Sequence, residues 1–340
     1  MNRSRSPRDS VCGLGILPAL ALILIALLVA VSACTSLPDT STSTSTSGDG
    51  GPSAGEGGQE ATEGATSDTA TTVDRAARDA FLEEFFTEGD YSDEEGWGDG
   101  EDEEIILVTY QVSGDEISGP VEEPVSGDLA DLQEDVQTQE EIWDYFVSFI
   151  PADERDLIAE FIIFTDGSGN VLAATDQLSE APDAWSLEVD IADAQYKAEL
   201  TYTLLHEYAH VLTLNNTQFR ADGADGETYE SEDEPLAGDS YLNLFYQEFW
   251  TDIYTEWELA YDEDYLDDFY EEHSDEFLTD YAATEPEEDI AESWLYFIIE
   301  RQPEGDSIAE EKILFFYDFP AMVALREEIR DNLYLYLVEQ

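Results

Sequence analysis

The sequence predicts an α+β protein, with a small sheet and accompanying helices in the N-terminal part and a mainly helical C-terminal half. Short apolar or alternating runs bounded by turn residues fall between positions 105 and 191, as strands do. Beyond them apolar residues recur at helical spacing almost to the last residue. The composition, 42% hydrophobic and 12% aromatic over 340 residues, supplies a core that an unfolded acidic chain lacks. The length suits one large domain or two small ones.

The elements follow in order. Residues 76–192 form the α+β part of the globular region and residues 193–340 its helical part. Ile105 to Tyr110 reads as a strand, and Leu129 to Ile150 as a helix with Leu132, Val136, Trp143 and Phe146 on its apolar positions. Phe161-Ile162-Ile163-Phe164 and Val171-Leu172-Ala173-Ala174 flank the turn-rich Asp166-Gly167-Ser168-Gly169-Asn170, which predicts a hairpin. Trp185 to Ile191 alternates as a half-buried strand does. Gly223 to Asp239 reads as a loop, and Tyr241 to Tyr261 as one aromatic-rich helix whose stripe suits a core.

Charge narrows the function. With 12 Lys+Arg against 82 Asp+Glu, a net charge of -70 and only Lys197 and Lys312 as lysines, the chain has no basic face for nucleic-acid phosphates or anionic lipid. Such acidity suits strong salt, where screening relieves self-repulsion, and equally suits an acidic secreted protein.

Met1 to Ser10 carries Arg3, Arg5 and Arg8, and the almost wholly apolar Val11 to Val31 leads into Ser32-Ala33-Cys34. This reads as an export signal over residues 1–33. Its end resembles the lipobox of bacterial lipoproteins, which implies that Cys34 becomes the lipidated N-terminus. The chain would then sit on the cell-surface or periplasmic side of the cytoplasmic membrane. An uncleaved membrane anchor is the alternative, since about 20 apolar residues span a bilayer. Residues 34–75, rich in Ser, Thr, Gly and acid, read as a flexible tether. Cys12 is the other cysteine, so a metal in the globular part must use His and carboxylate.

The chemistry concentrates in Leu204-Leu205-His206-Glu207-Tyr208-Ala209-His210-Val211-Leu212, which holds two of the three histidines. Residues i and i+4 share a helix face, so both imidazoles reach one metal ion, with Glu207 placed beside it as a base for water. The rest of this stretch is apolar or aromatic, so these three polar groups would be buried and require partners. A zinc ion would supply one, and a hydrogen-bonded core helix that matches the motif by accident is the alternative. His273, among Glu271, Glu272, Ser274 and Asp275, reads as a solvated surface residue.

A catalytic zinc keeps three protein ligands and one open position. Thr213 and Asn216 stand where an extended motif would carry its glycine and third histidine, so the third ligand should be a carboxylate. The acid-rich helix Glu285 to Leu295, with Thr284 as cap and Pro286 in its first turn, is the best source. Glu288 and Glu292 share one face of it, suited to a ligand and an acceptor for a ligating imidazole N–H, while Ile290, Trp294 and Phe297 take the opposite face. Among so many acids Glu287 and Glu292 also remain open as the third ligand.

The pairing of His206-Glu207-Tyr208-Ala209-His210 with a downstream Glu288-Asp289-Ile290-Ala291-Glu292 resembles the gluzincin metallopeptidases. The segment Tyr281 to Glu292 is similar to that of the lethal-factor-like members, in which a tyrosine seven residues before the ligand glutamate faces the reacting carbonyl. The resemblance implies a zincin-like fold and peptide-bond hydrolysis of a peptide or protein substrate. It further implies Zn2+ on His206, His210 and Glu288, Glu207 as general base, Tyr281 as oxyanion donor and Glu292 behind the ligands. It covers two short segments, roughly residues 200–214 and 279–296, and the long insertion between them departs from the simplest members. An inactive zincin-like protein that binds metal or a partner, and an acidic cation-binding surface protein, are the competing readings.

Overall fold

The computed structural model describes residues 73–88, 104–167, 169, 171–179, 181–220, 228–231, 234–262 and 265–339. The export signal, Cys34 and nearly all of the tether lie outside the described residues. Among the described residues, no helix is long and apolar enough to cross a membrane.

Five strands build the main sheet: β1 (Ile105–Ser113), β2 (Glu116–Glu122), β3 (Ile158–Thr165), β4 (Ala173–Leu178) and β5 (Ala181–Asp190), in the order β2-β1-β3-β5-β4. β1 runs antiparallel to β2 and β3, β3 and β5 are parallel, and β4 is antiparallel to β5. The chain is therefore α+β. Gly114, at φ 62°, makes the two-residue turn that pairs Ser113 with Glu116, a conformation that suits glycine.

The hairpin expected across Asp166 to Asn170 does not form. β3 pairs with β1 and β5, and β4 lies at the sheet edge, paired instead with β5 with Leu178 opposite Ala181. Burial decides this. Phe161-Ile162-Ile163-Phe164 is covered along its whole length and needs a strand on each side, whereas Thr175, Asp176 and Gln177 suit an edge. β2, rich in Glu, Ser, Gly and Pro and mostly exposed, gives no apolar alternation from which to predict it.

The predicted Leu129 to Ile150 helix is two helices, α2 (Asp128–Gln133) and α3 (Val136–Phe149), following α1 (Arg75–Glu88) in the chain. Asp135 breaks it by capping α3, its carboxylate accepting from Thr138 N at 3.2 Å and Thr138 Oγ1 at 2.8 Å. α3 buries Ile142, Trp143, Phe146 and Phe149, and Trp143 lies against Phe161 of β3, ring centroids 5.3 Å apart. Tyr110, Phe161 and Leu187 are in register across β1, β3 and β5, and the Tyr110 hydroxyl donates to Gln139 of α3.

After β5 come α4 (Lys197–Leu214), the two-residue strands β6 (Glu230–Ser231) and β7 (Glu234–Pro235), α5 (Tyr241–Phe245), α6 (Tyr254–Asp262), α7 (Leu266–His273), α8 (Pro286–Ile299), α9 (Ile308–Phe315) and α10 (Pro320–Glu339). The predicted Tyr241 to Tyr261 helix is interrupted between α5 and α6 by a π-helical turn, Tyr246–Trp250. That turn seats Trp250 in the interior, where its Nε1–H donates to Asp289 at 2.7 Å. The aromatic stripe is core, as expected. α1 had no prediction; the buried Arg78 and Arg330 tie it to α10 through Asp79, Glu327 and Asp331.

Candidate metal centre

α4 and α8 pack against each other and position the site. α4 is apolar on nearly every side: Leu204, Leu205 and Ala209 are fully buried, so His206 (1% exposed) projects into protein rather than water. α8 begins with Pro286 at its first turn, as expected, but Glu285 and not Thr284 stands at the cap. Thr284 Oγ1 instead donates back to Tyr281 O at 2.7 Å, which closes the short 3₁₀ turn Tyr281–Ala283. Ile290, Trp294 and Phe297 are buried on one side of α8, and Glu288 and Glu292 meet α4.

Three basic atoms converge there. His206 Nε2 lies 3.0 Å from His210 Nε2 and 2.9 Å from Glu288 Oε2, and His210 Nε2 lies 3.4 Å from Glu288 Oε2. His206 Nδ1 faces Glu292 Oε1 at 2.8 Å. Glu292 is fully buried and its Oε2 accepts from Tyr202 and Thr279 hydroxyls, each at 3.1 Å. Both carboxylate oxygens are thereby fixed, and Nδ1–H of His206 is directed at Glu292. Nε2 of His206 then faces Glu288 Oε2 and His210 Nε2, and offers a lone pair to an ion when the ring is neutral.

This donor set suits a small divalent ion. Tetrahedral bonds of about 2.0–2.1 Å place ligand atoms about 3.3–3.4 Å apart; one side of the observed triangle has that length, at 3.4 Å, and the other two, at 2.9 and 3.0 Å, would open slightly around an ion. A carboxylate behind a ligating imidazole is the usual support for such a ligand. His210 Nδ1 is buried with no hydrogen-bond partner among the described residues.

The electrostatics follow from the same contacts. Burial would lower His206, yet Glu288 and Glu292 hold it well above the ordinary histidine range. Burial alone would raise Glu288, but the two imidazoles hold it well below the carboxylate range. Glu207 is only 9% exposed, and burial raises its pKa, with His210 and His206 opposing. Its Oε2 accepts from Thr175 Oγ1 of β4 at 3.1 Å. The Tyr281 ring lies 5.7 Å from that of His206, and burial, then Glu288 and Glu207, push its hydroxyl far above the usual tyrosine range.

The structure thus brings His206, Glu207, His210, Tyr281, Glu288 and Glu292 into one locus. Glu287 belongs elsewhere, its Oε2 accepting from Tyr229 at 2.9 Å. His273 is not a free surface residue: its side chain is 13% exposed and its Nδ1 lies 2.9 Å from Glu276. Thr175, Tyr202 and Thr279 were not anticipated. Tyr202 carried a signal, four residues before His206 on the same helix face, whereas Thr175 and Thr279 arrive from segments that only the tertiary fold places here. Comparison with known protein families, characterised proteins and solved structures finds no match for this chain.

Proposed function

We propose that the chain is a zinc-dependent peptidase of zincin-like fold, exported and held at the membrane by a lipid on Cys34, that hydrolyses peptide bonds of a peptide or protein substrate. The observation that carries this reading is the triangle of His206 Nε2, His210 Nε2 and Glu288 Oε2 with sides of 2.9–3.4 Å. Bound zinc would supply a Lewis acid for the scissile carbonyl and bring the pKa of its water towards about 7.

The remaining work belongs to the chain. His206, His210 and Glu288 would hold the ion, and Glu292 would fix the ring of His206 through Nδ1–H. Glu207 accepts the proton of the attacking water and returns it to the leaving amine; its raised pKa brings it nearer the range in which a carboxyl both takes and gives a proton at neutral pH. Tyr281, still protonated because its pKa is raised, donates a hydrogen bond to the oxyanion as it develops. His206 is 1% exposed and the side chains of His210 and Glu288 13%, so these interactions act in a partly dry setting that strengthens them.

Zinc content of the purified full chain tests the reading directly. About one zinc per chain, lost in both His206→Ala and Glu288→Ala, is the expected result. A parent chain without zinc overturns it, and zinc lost only in His206→Ala removes Glu288 from the ligand set.

A further inference from the structure

A second group of acids lies away from the α4–α8 contact, where β3 and β5 end side by side. These strands are parallel and pair Phe164 with Asp190, so Asp166, one residue past β3, stands next to the last residue of β5. Asp193 follows in the turn that leads into α4. One carboxylate oxygen from each of Asp166, Asp190 and Asp193 lies within 4.8 Å of the others. Asp166 is 3% exposed and Asp190 fully buried.

The hydrogen bonds fix two of these carboxylates and leave one atom over. Asp190 Oδ2 accepts from Asp166 N at 2.9 Å and its Oδ1 from Ala192 N at 2.6 Å. Asp166 Oδ2 accepts from Val171 N at 3.0 Å. Asp166 Oδ1 is buried and has no partner among the described residues. The charges acting on Asp190 and Asp193 are those of neighbouring carboxylates, with no Lys, Arg or His among the main ones. Backbone amides orient these groups but leave the like charges opposed. An unpartnered buried carboxylate oxygen within an acidic cluster is a costly arrangement unless a cation joins it.

We infer that Asp166, Asp190 and Asp193 bind a calcium ion that fastens the ends of β3 and β5 to the turn leading into α4. The donors are all oxygen, which selects a hard cation over zinc. Calcium–oxygen bonds of about 2.3–2.6 Å allow ligands on opposite sides of one ion to lie up to about 5 Å apart, which matches the cluster. Three carboxylates also leave room in a shell of 6–8 oxygens for carbonyls or water. The turn held by this ion leads directly into the helix that carries His206 and His210, so its role is to brace that helix at its entry. This assignment is independent of peptidase activity.

The test is calcium titration of the full chain, zinc-loaded and freed of excess zinc, followed by calorimetry and thermal unfolding. Parent, Asp166→Asn, Asp193→Asn and the control Glu271→Gln, at an exposed position of α7, are compared. At calcium about 100-fold above its Kd the parent midpoint should rise by roughly 5–10 °C, and so should that of the control. Asp166→Asn should abolish the rise and Asp193→Asn should weaken calcium binding at least about ten-fold. Without calcium, Asp166→Asn should unfold at or above the parent temperature because one of three opposed charges is gone. If Asp166→Asn does not fold, the half-buried Asp193→Asn decides alone. No calcium effect on the parent, or an equal effect on all four proteins, overturns the inference.

Discussion

Two regions of this molecule bury acids, and they treat them oppositely. At the α4–α8 contact Glu288, its side chain 13% exposed, meets two imidazoles and its pKa falls far below the usual range. On the sheet, Glu188 of β5 is pushed up to about 7 by burial, with only the Ser186 hydroxyl opposing and Asp176, Glu104 and Glu207 adding to the rise. Asp190 and Asp193 are raised as well, by burial first. In a chain with 82 acidic residues, burial of a carboxylate therefore distinguishes nothing by itself. The group opposite Glu288 decides its direction: two imidazoles bring it down within a triangle of mixed nitrogen and oxygen, while amides and fellow acids surround the carboxylates at the end of the sheet.

The sharpest way to break the first half of this contrast is Glu207→Gln. It keeps the shape of the side chain and leaves the three converging atoms untouched, so zinc should remain at about one per chain while peptide cleavage falls by about 10²–10⁴-fold. Turnover that survives would remove Glu207 as the base. A smaller effect is expected at Glu292, which touches no ligand position but takes Nδ1–H of His206 and two hydroxyls. Glu292→Gln should weaken zinc affinity by about 10–100-fold, measured by competition with a chelator of known affinity. Unchanged affinity would show that the ring of His206 is held by packing alone.

The other half is tested through pH. Glu188 binds its proton more tightly in the folded chain, near 7, than its ordinary value of 4.5 allows in the unfolded one. Below pH 4.5 both states are protonated and the group is neutral in the balance. As pH rises from 4.5 through 7 the unfolded chain releases the proton first, so stability falls, and above 7 the loss is complete. Partial exposure limits it to about 1–3 kcal/mol. Glu188→Gln should thus match the parent near pH 4 and exceed it at pH 8 in denaturant unfolding. A variant no more stable than the parent at pH 8 would show that Glu188 does not hold its proton more tightly in the folded chain.

The parts of this architecture that sequence makes legible are those whose signal is local. The helical spacing of His206 and His210, the shared face of Glu288 and Glu292, Pro286 in the first turn of α8 and the alternation of β5 all depend on neighbours a few residues away. The hairpin expectation failed because strand pairing is settled by which strand is buried on both sides, and β3 found β5 rather than β4. α2 and α3 divide at Asp135 because a side-chain cap competes with helix continuation. The π-helical turn at Tyr246–Trp250 exists to seat an indole against Asp289, a partner far along the chain. The same limit hid the support of Glu207, which comes from an edge strand.

That support gives the smallest effect. Thr175 Oγ1 reaches both the carbonyl of Glu207, at 3.3 Å, and its Oε2, at 3.1 Å, and so joins β4 to the helix that carries the site. A hydroxyl donated to a carboxylate favours the ionised form, and Thr175 is among the groups that lower Glu207 against the rise from burial. Thr175→Val keeps the branched shape and removes the donor. Stability should fall by about 1 kcal/mol, and Glu207 should hold its proton to higher pH. If Glu207 must be ionised to accept a proton from water, the acid limb of the pH–rate profile then moves upward while the alkaline limb stays in place. An acid limb that does not move, with the same loss of stability, would make Thr175 a brace between β4 and α4 and nothing more.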